Sequence, residues 1–311
     1  MKDLSVQTQS LCPRCLRAIP AITITNGNRT FLRKSCSAHG DFEDTLLWDN
    51  HPFFYDEWMQ PKASILPTDP NPRCPNECGI CSHHAQKTCS AIIEVTHRCN
   101  LRCPICFASC ENETSQDLTL DQLSKMLGSL KDQSGACPIQ LSGGEPAMRD
   151  DLPEMVLLVR RMGFDHVQIN TNGIRLALDP DYGKALADAG VATIFLQFDG
   201  VTKDVFLKLR GADLLETKIK AIARCAELRI GVILVPTLVR NVNDGQIGAI
   251  IQFAKQWIPS VKGVHFQPMS FIGRYQEKPR NEDRILIPEI LSSIESQTGG
   301  ELRAENMIAP G

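Results

Sequence analysis

The chain contains thirteen cysteines, and their spacing points to chemistry more clearly than their number does. All but two lie between Cys12 and Cys110, mostly in C-x2-C or C-x3-C groups. Thiolates are soft ligands for zinc, iron and iron–sulfur clusters. A chain of the reducing cytosol is not expected to hold them as disulfides. The pattern therefore indicates several metal sites.

The run Cys99-x3-Cys103-x2-Cys106 could hold an iron–sulfur cluster with one open iron. A [4Fe–4S] cluster takes four ligands, so three cysteines leave one iron free to bind a small molecule. A predicted strand leads directly into this run. A closed zinc site is the alternative, but the loop offers no obvious fourth ligand. Cys110 is interpreted as a bystander, because a fourth thiolate would block the open iron.

A second run with the same spacing precedes the first and is expected to do a different job. Prolines rather than a strand lead into it, and a further cysteine follows at a distance that could close a fourth bond. We therefore predict an auxiliary [4Fe–4S] cluster that relays electrons or anchors substrate. Its candidate ligands are Cys74, Cys78, Cys81 and Cys89. A structural zinc site is the alternative, and His83 or His84 could replace Cys89.

A third set of ligands lies at the N-terminus. Cys12 and Cys15 form a C-x2-C knuckle, and a predicted hairpin turning at residues 26–27 delivers Cys36. Three cysteines around a hairpin are typical of a zinc ribbon or a rubredoxin-like iron site. The fourth ligand could be His39 or a cysteine from elsewhere. One knuckle with a free thiol is the alternative.

From Ala91 onward the chain alternates between short apolar strands and amphipathic helices. Six strands with five intervening helices predict a parallel α/β arrangement, either an open sheet or a partial barrel. Thr119 and Gln122 predict a capping box for one helix, and Asp151 predicts the cap of the next. Cys137 and Cys225 fall in a strand and a helix, and are interpreted as core residues.

In either parallel arrangement, the carboxyl ends of the strands carry the site. Residues with useful chemistry collect at these ends, which is stronger evidence than any one motif. After the first four strands come the cysteine loop, then Gly143, Gly144, Glu145 and Pro146, then Asn172, then Gln197 and Asp199.

Composition excludes some partners. The net charge of −3 and the isoelectric point of about 6.2 argue against nucleic acid, because phosphate binding needs a basic excess. The N-terminus has no apolar signal-peptide segment, and the longest apolar run is too short for a membrane span. We therefore expect a cytoplasmic protein.

With the motifs in place, "CNLRCPICF" after the first strand and "GGEP" after the second resemble the radical S-adenosylmethionine (SAM) superfamily over residues 91–275. A wider set, including "CPRC", "CSAHG", "CPNECGIC" and "FQPMSFIGR", resembles the subgroup of tetraether lipid synthases and dihydropterin methyltransferases. The resemblance implies a partial (β/α)6 TIM-type barrel with a small N-terminal zinc-ribbon or rubredoxin-like β unit.

The resemblance also implies an activity. The cluster on Cys99, Cys103 and Cys106 would chelate SAM and cleave it to a 5′-deoxyadenosyl radical, which abstracts hydrogen from an unactivated carbon. Methylation or carbon–carbon bond formation would follow on a lipid, a pterin or a similar substrate, with ferredoxin or flavodoxin as reductant. The residues implied to bind the cofactor are Phe107, Gly143, Gly144, Glu145, Pro146, Asn172, Gln197 and Asp199.

Two other classes of protein remain as alternatives. A non-catalytic electron carrier with several clusters shares the cysteines but has no use for "GGEP". A zinc-ribbon adaptor is disfavoured for nucleic acid by the negative charge. Polar loop residues such as Asn172, Gln197 and Asp199 could also cap loops rather than bind a ligand.

The expected domain organisation has four parts. They are a metal unit over 1–60, a cysteine-rich linker over 61–90, the radical SAM core over 91–275 and a helical tail over 276–311. Longer members of the subgroup contribute further cysteines after the core. No cysteine follows Cys225 here, so a third cluster is not expected, whether this chain is a short form or a truncated one.

Overall fold

The computed structural model describes residues 4–27, 29–49, 88–110, 116–275 and 280–308. Two compact units are present, Met1–Lys87 with Arg280–Gly311 and Thr88–Pro279. The predicted auxiliary ligands Cys74, Cys78 and Cys81, together with His83 and His84, lie outside the described residues.

The first unit contains a five-stranded antiparallel sheet. Its strands are β1 Leu4–Leu11, β2 Ala18–Asn26, β3 Arg29–Cys36, β4 Gly40–Asp41 and β5 Thr45–Asp49. The predicted hairpin is confirmed, since β2 pairs with β3 and Asn26 lies opposite Arg29. Strand β1 was not predicted, because its polar residues leave no clear apolar pattern in the sequence. It pairs with β2 along its whole length.

The second unit is built on six parallel strands, as predicted. They are β6 Ala91–Thr96, β7 Ile139–Gly143, β8 Val167–Thr171, β9 Thr193–Gln197, β10 Gly231–Val235 and β12 Val261–Val264. Their order is β12-β10-β9-β8-β7-β6, so each strand lies beside its neighbour in sequence. The short strands β11 Thr237–Leu238 and β13 Gln267–Pro268 form a further parallel pair. Within the described residues β6 and β12 are the two ends of this order, which fits a partial barrel.

Helices follow the strands and cover one face of this sheet. In the second unit they are α1 Leu120–Ser134, α2 Leu152–Arg161, α3 Ile174–Leu178, α4 Pro180–Asp188, α5 Lys203–Arg210, α6 Leu215–Glu227 and α7 Ile247–Gln256. The helix α8 Ile287–Gln297 belongs to the first unit. The five predicted helices of the core are found, and the short helices α3 and α5 are additions.

The two predicted helix caps have different outcomes. The capping box of α1 is confirmed, because the Gln122 N–H donates to Thr119 Oγ1 at 3.2 Å and the Thr119 N–H donates to Gln122 Oε1 at 2.8 Å. Asp151 is the N-cap residue of α2, as predicted, but its side chain makes no capping hydrogen bond. Asp151 precedes α2, but its carboxylate accepts from Arg149 at 2.8 and 2.5 Å rather than from the helix backbone.

Alternation along the strands divides the core from the site. Every second residue of a strand is fully buried and packs with the helices, as for Ile169 in β8 and Leu196 in β9. The residues between them face the opposite side of the sheet, where Asn170 and Gln197 line a cavity. Cys137 and Cys225 are buried in the apolar core, as predicted. None of the described helices has the length and apolar character needed to cross a membrane.

Candidate cofactor cavity and metal site

A cavity of about 500 Å³ lies at the carboxyl ends of the parallel strands of the second unit. It brings together nine residues that the sequence predicted from four separate loops. They are Cys99, Cys103, Cys106, Phe107, Gly143, Gly144, Glu145, Asn172 and Gln197. Pro146 and Asp199 are not among the lining residues. Phe107 is 61% exposed, so its ring stands at the mouth rather than in the core.

The two glycines of "GGEP" fit against the backbone that begins the cysteine loop. The Gly144 N–H donates to the Thr96 carbonyl, and the Glu145 N–H donates to the Arg98 carbonyl, both at 2.8 Å. A Cβ on Gly143 would lie 2.1 Å from the Thr96 oxygen, and one on Gly144 would lie 2.3 Å from the Arg98 oxygen. No side chain fits at either position, since the obstacles are backbone atoms.

The far end of the cysteine loop is held by the segment that follows β13. The backbones of Cys106 and Arg274 exchange two hydrogen bonds of 3.0 and 2.8 Å. The Arg274 guanidinium donates to the Cys110 carbonyl at 3.0 Å. A side-chain bond from Asn172 Nδ2 to Asn100 Oδ1, at 2.7 Å, holds the middle of the loop. The three cysteines are therefore presented by a loop that is fixed on both sides.

Glu145 is only 2% exposed, and its carboxylate joins three segments. Oε1 accepts from Thr171 Oγ1 at 2.5 Å and from the Ala147 N–H at 2.9 Å, and Oε2 accepts from the Asn172 N–H at 2.6 Å. Burial raises the pKa of Glu145, while these donors and Lys218 oppose the rise. Oε2 retains acceptor capacity at the wall of the cavity. Pro146 begins the single 3-10 turn that Glu145 caps.

Asp199 lies beneath the cavity and binds Arg210. The Asp199 carboxylate is fully buried and accepts from Arg210 Nε at 2.7 Å and Nη2 at 2.6 Å. Gln197 Nε2 also donates to it. The Arg210 guanidinium lines the cavity, and its Nη1 donates to the Ile105 carbonyl of the cysteine loop at 3.4 Å. The structure thus connects the predicted Asp199 to the cavity through an arginine that the sequence analysis missed.

Lys218 is a second residue that the sequence analysis missed. It is fully buried, and its Nζ donates to the Asn172 carbonyl at 2.5 Å and to Gln197 Oε1 at 3.0 Å. Burial lowers the pKa of Lys218 to about 8. A signal was available in the sequence. Lys218 shares a helical face with Ala221, Ile222 and Cys225, so a charged residue occupies a position of the apolar stripe.

The cysteine loop fits an iron–sulfur cluster better than one shared ion. Burial raises the pKa of Cys99 to about 11, and the nearby Glu145, Cys103 and Cys106 add to the rise. Thiols in such surroundings become thiolates when a metal binds them. Across the described ranges, the three sulfurs are not a set whose donor atoms all lie within 4.8 Å. Wider spacing suits a cluster, in which each thiolate binds a different iron.

The N-terminal unit holds a set of donors with the spacing of a single ion. The donor atoms of Cys12, Cys15, Cys36 and His39 all lie within 4.8 Å of one another. His39 Nδ1 is 3.5 Å from Cys12 Sγ and 3.5 Å from Cys36 Sγ. A tetrahedral zinc or iron site takes four such ligands. Of the two sources left open for the fourth donor, the structure places His39 there.

Cys89 is the one auxiliary candidate that the structure describes. It is exposed and lies two residues before β6. Burial raises the pKa of the Cys137 thiol, and the nearby Cys89 adds to the rise. The auxiliary cluster itself stays a prediction, since its other three ligands fall outside the described ranges.

The sequence of the chain matches the models of two known protein families. The model of the radical SAM superfamily matches residues 93–254, which span the cysteine loop and the first five strands of the parallel sheet. The chain therefore belongs to the radical SAM superfamily. A second model, the HMPTM N-terminal zinc ribbon domain, matches residues 4–49, which contain the four clustered donors.

Two individual proteins are similar to this chain over most of its length. The chain is 41% identical over 306 residues to a 7,8-dihydro-6-hydroxymethylpterin dimethyltransferase of Methanocaldococcus jannaschii. That alignment covers 96% of this chain and 60% of the relative, so the chain spans less than two thirds of that protein. A GTP 3′,8-cyclase of Chlorobaculum tepidum is 28% identical, with 70% of this chain and 67% of the relative aligned.

Solved structures support the fold. Streptococcus suis SuiB bound to S-adenosylmethionine matches with a TM-score of 0.51 and 16% identity, over 62% of this chain and 44% of that one. Methylornithine synthase (PylB) matches with a TM-score of 0.53 and 15% identity, over 68% and 62%. At these identities the likeness concerns the fold alone.

Proposed function

We propose that Cys99, Cys103 and Cys106 hold a [4Fe–4S] cluster and that SAM binds beside it in the cavity. The observation that carries the proposal is the meeting of two loops. The three thiols, the backbone of Gly143 and Gly144 and the Glu145 carboxylate all line one cavity. When bound, the cluster supplies the electron that cleaves SAM to a 5′-deoxyadenosyl radical.

The residues of the chain would bind and orient the cofactor. The Oε2 atom of Glu145 is an acceptor for the ammonium of SAM, and Arg210 is a cation in the cavity wall that also holds the cysteine loop at Ile105. Asn172, Gln197 and Phe107 line the remaining wall and mouth. Pro146 and Asp199 act through their neighbours, by starting the turn after Glu145 and by fixing Arg210.

The substrate proposed for this enzyme is a pterin, and the reaction is methylation of an unactivated carbon. The 41% identity to the pterin dimethyltransferase supports both parts. The cavity supports a flat ring with a polar edge, because Phe266 and Met269 lie beside Gln267 in its wall. The resemblance to the subgroup also allows a second reaction, carbon–carbon bond formation, and a second class of substrate, a lipid.

Other components of the proposal concern electrons and metals. A reductant such as ferredoxin or flavodoxin would supply the electron. The auxiliary [4Fe–4S] cluster on Cys74, Cys78, Cys81 and Cys89 would relay it or anchor the substrate. Zinc or iron would bind Cys12, Cys15, Cys36 and His39, whose spacing and family match support a single ion.

The test is a turnover experiment with the full chain. Anaerobically reconstituted and reduced protein is incubated with SAM and 6-hydroxymethyl-7,8-dihydropterin, and products are identified by mass spectrometry. We expect 5′-deoxyadenosine from one molecule of SAM, and a pterin whose added methyl group carries label from a second, methyl-labelled molecule of SAM that serves as the methyl donor. A Cys103→Ala variant should make neither product.

Two failures have different meanings. Formation of 5′-deoxyadenosine without a methylated pterin would reject the substrate and keep the radical SAM assignment. No SAM cleavage by a protein with its full iron and sulfide content would reject the catalytic proposal itself and favour an electron carrier.

A further inference from the structure

Lys218 is a buried cation that the proposed chemistry does not use. It occupies the inward face of α6, where the next inward residues, Ala221, Ile222 and Cys225, are apolar. Its side chain is fully excluded from solvent, so the ammonium cannot reach bulk water. Burying an ammonium costs free energy unless hydrogen bonds and opposite charge compensate for it. The groups around the Nζ atom therefore indicate the role of the lysine.

Two hydrogen-bond chains leave the Nζ atom, and both end on the cysteine loop. In the first, Lys218 binds the Asn172 carbonyl, and the Asn172 side chain binds Asn100 between the first two cysteines. The second is longer. Lys218 binds Gln197, which donates to Asp199, and Asp199 holds Arg210, whose Nη1 donates to the Ile105 carbonyl at 3.4 Å.

The same lysine also faces the "GGEP" carboxylate through Asn172. The Asn172 N–H donates to Glu145 Oε2, while the Asn172 carbonyl accepts from Lys218. Among the described residues, Asp199, Arg210 and Glu145 are charged groups that act on the ammonium of Lys218. Asp199 and Arg210 neutralise each other in a direct ion pair. In the part of the chain that the structure describes, Lys218 is therefore a cation left to balance Glu145.

We propose that Lys218 is a positioning residue of the SAM site. It fixes the Asn172 backbone and the Gln197 side chain, and it balances the buried Glu145 carboxylate so that Glu145 stays charged for the cofactor. This inference rests on the proposed cofactor site and does not depend on the identity of the substrate.

The test is a double-mutant cycle on the cluster-loaded full chain. SAM affinity is measured by calorimetry for the wild type, Lys218→Met, Glu145→Gln and the double variant. Methionine keeps the length of the side chain and removes its charge and donors. Lys220→Met is the matched control, because Lys220 lies on the same helix and is exposed.

We expect Lys218→Met to weaken SAM binding by at least about tenfold, since truncating one member of a buried charge pair is costly. In the Glu145→Gln background the same substitution should weaken binding by a clearly smaller factor, because only the contacts of Lys218 with Asn172 and Gln197 are then lost. Lys220→Met should bind as the wild type does. Equal weakening in both backgrounds, or no weakening at all, would overturn the proposal, because a lysine that only supports packing acts independently of Glu145.

Urea unfolding of the same four proteins gives a second measurement of the coupling. Removing Lys218 alone leaves an unbalanced buried carboxylate, so Lys218→Met should be less stable than the double variant. The proposal fails if the double variant is the less stable of the two, or if neither folds. A wild type that does not bind SAM would instead refute the proposed function, and the unfolding cycle would still decide the role of Lys218.

Discussion

Substitution of Gly273 by alanine tests how the cysteine loop is held. Gly273 has a φ of +70° and precedes Arg274, whose backbone pairs with Cys106. A Cβ at this position would lie 2.2 Å from the Phe107 oxygen and 2.4 Å from the Cys106 oxygen. Both obstacles are backbone atoms, so no side-chain rotation relieves the overlap. The segment must move away from the loop.

The cost can be worked out from these contacts. Left-handed backbone costs alanine about 1 kcal/mol. Each of the two Cys106–Arg274 hydrogen bonds that must open contributes about 1 kcal/mol. The variant should therefore lose about 3 kcal/mol of local stability, which corresponds to a roughly hundredfold change in an opening equilibrium.

The assay is native-state hydrogen exchange on the full chain. In Gly273→Ala, the amides of Cys106 and Arg274 should exchange about a hundredfold faster, while β8 and β9 keep their protection. The iron content after reconstitution should fall with the loss of protection. Gly128→Ala is the control, because its Cβ meets nothing within 4 Å and α1 should gain about 0.5–1 kcal/mol. Unchanged exchange at Cys106 would refute the idea that residues 271–275 hold the loop.

Three further predictions address other parts of the chain. His39→Ala should lower the bound zinc or iron of the N-terminal site without changing the iron of the cavity cluster, as metal analysis can check; equal metal content would exclude His39 as a ligand. Burial raises the pKa of Asp117, but hydrogen bonds from Arg98 and Thr96 outweigh it and leave the pKa below its usual value. Its contribution to stability should be complete above the unfolded pKa of about 3.9 and be lost as pH falls through the folded pKa. In Asp117→Asn, the free energy of unfolding by urea should therefore fall less steeply at acid pH than in the wild type. An unchanged pH dependence would contradict this. Cys225→Ser should cost about 1–3 kcal/mol by burying an unpaired hydroxyl yet keep SAM cleavage, and loss of cleavage in the folded variant would argue against a purely structural Cys225.

The fold was predictable from the sequence because its signals are local. Apolar strands and amphipathic helices alternate with short loops, and the Thr119–Gln122 capping box is visible in four residues. The short helices α3 and α5 were missed, because segments of five and eight residues carry little periodicity. The helix starts at Asp151 as predicted, but the carboxylate of Asp151 binds the buried Arg149 rather than the helix backbone, which the sequence does not reveal.

The site was predictable only as far as its residues lie in motifs. The cysteine loop and "GGEP" could be found from spacing, and the rule for parallel strands brought them together. The partners of those motifs are set by tertiary contacts across long stretches of chain. Arg210 donates to the Ile105 carbonyl, and Arg274 pairs with Cys106, across more than a hundred residues. No local pattern records such pairs, although a lysine in the apolar stripe of α6 was a usable sign.

The central claim is that the cluster on Cys99, Cys103 and Cys106 has an open iron facing the SAM cavity. Electron paramagnetic resonance of the reduced full chain, recorded with and without SAM, tests it most directly. With an open iron, the protein should give a [4Fe–4S]⁺ signal that changes when SAM is added and that disappears in Cys103→Ala. A cluster signal that stays the same in the presence of saturating SAM would contradict it.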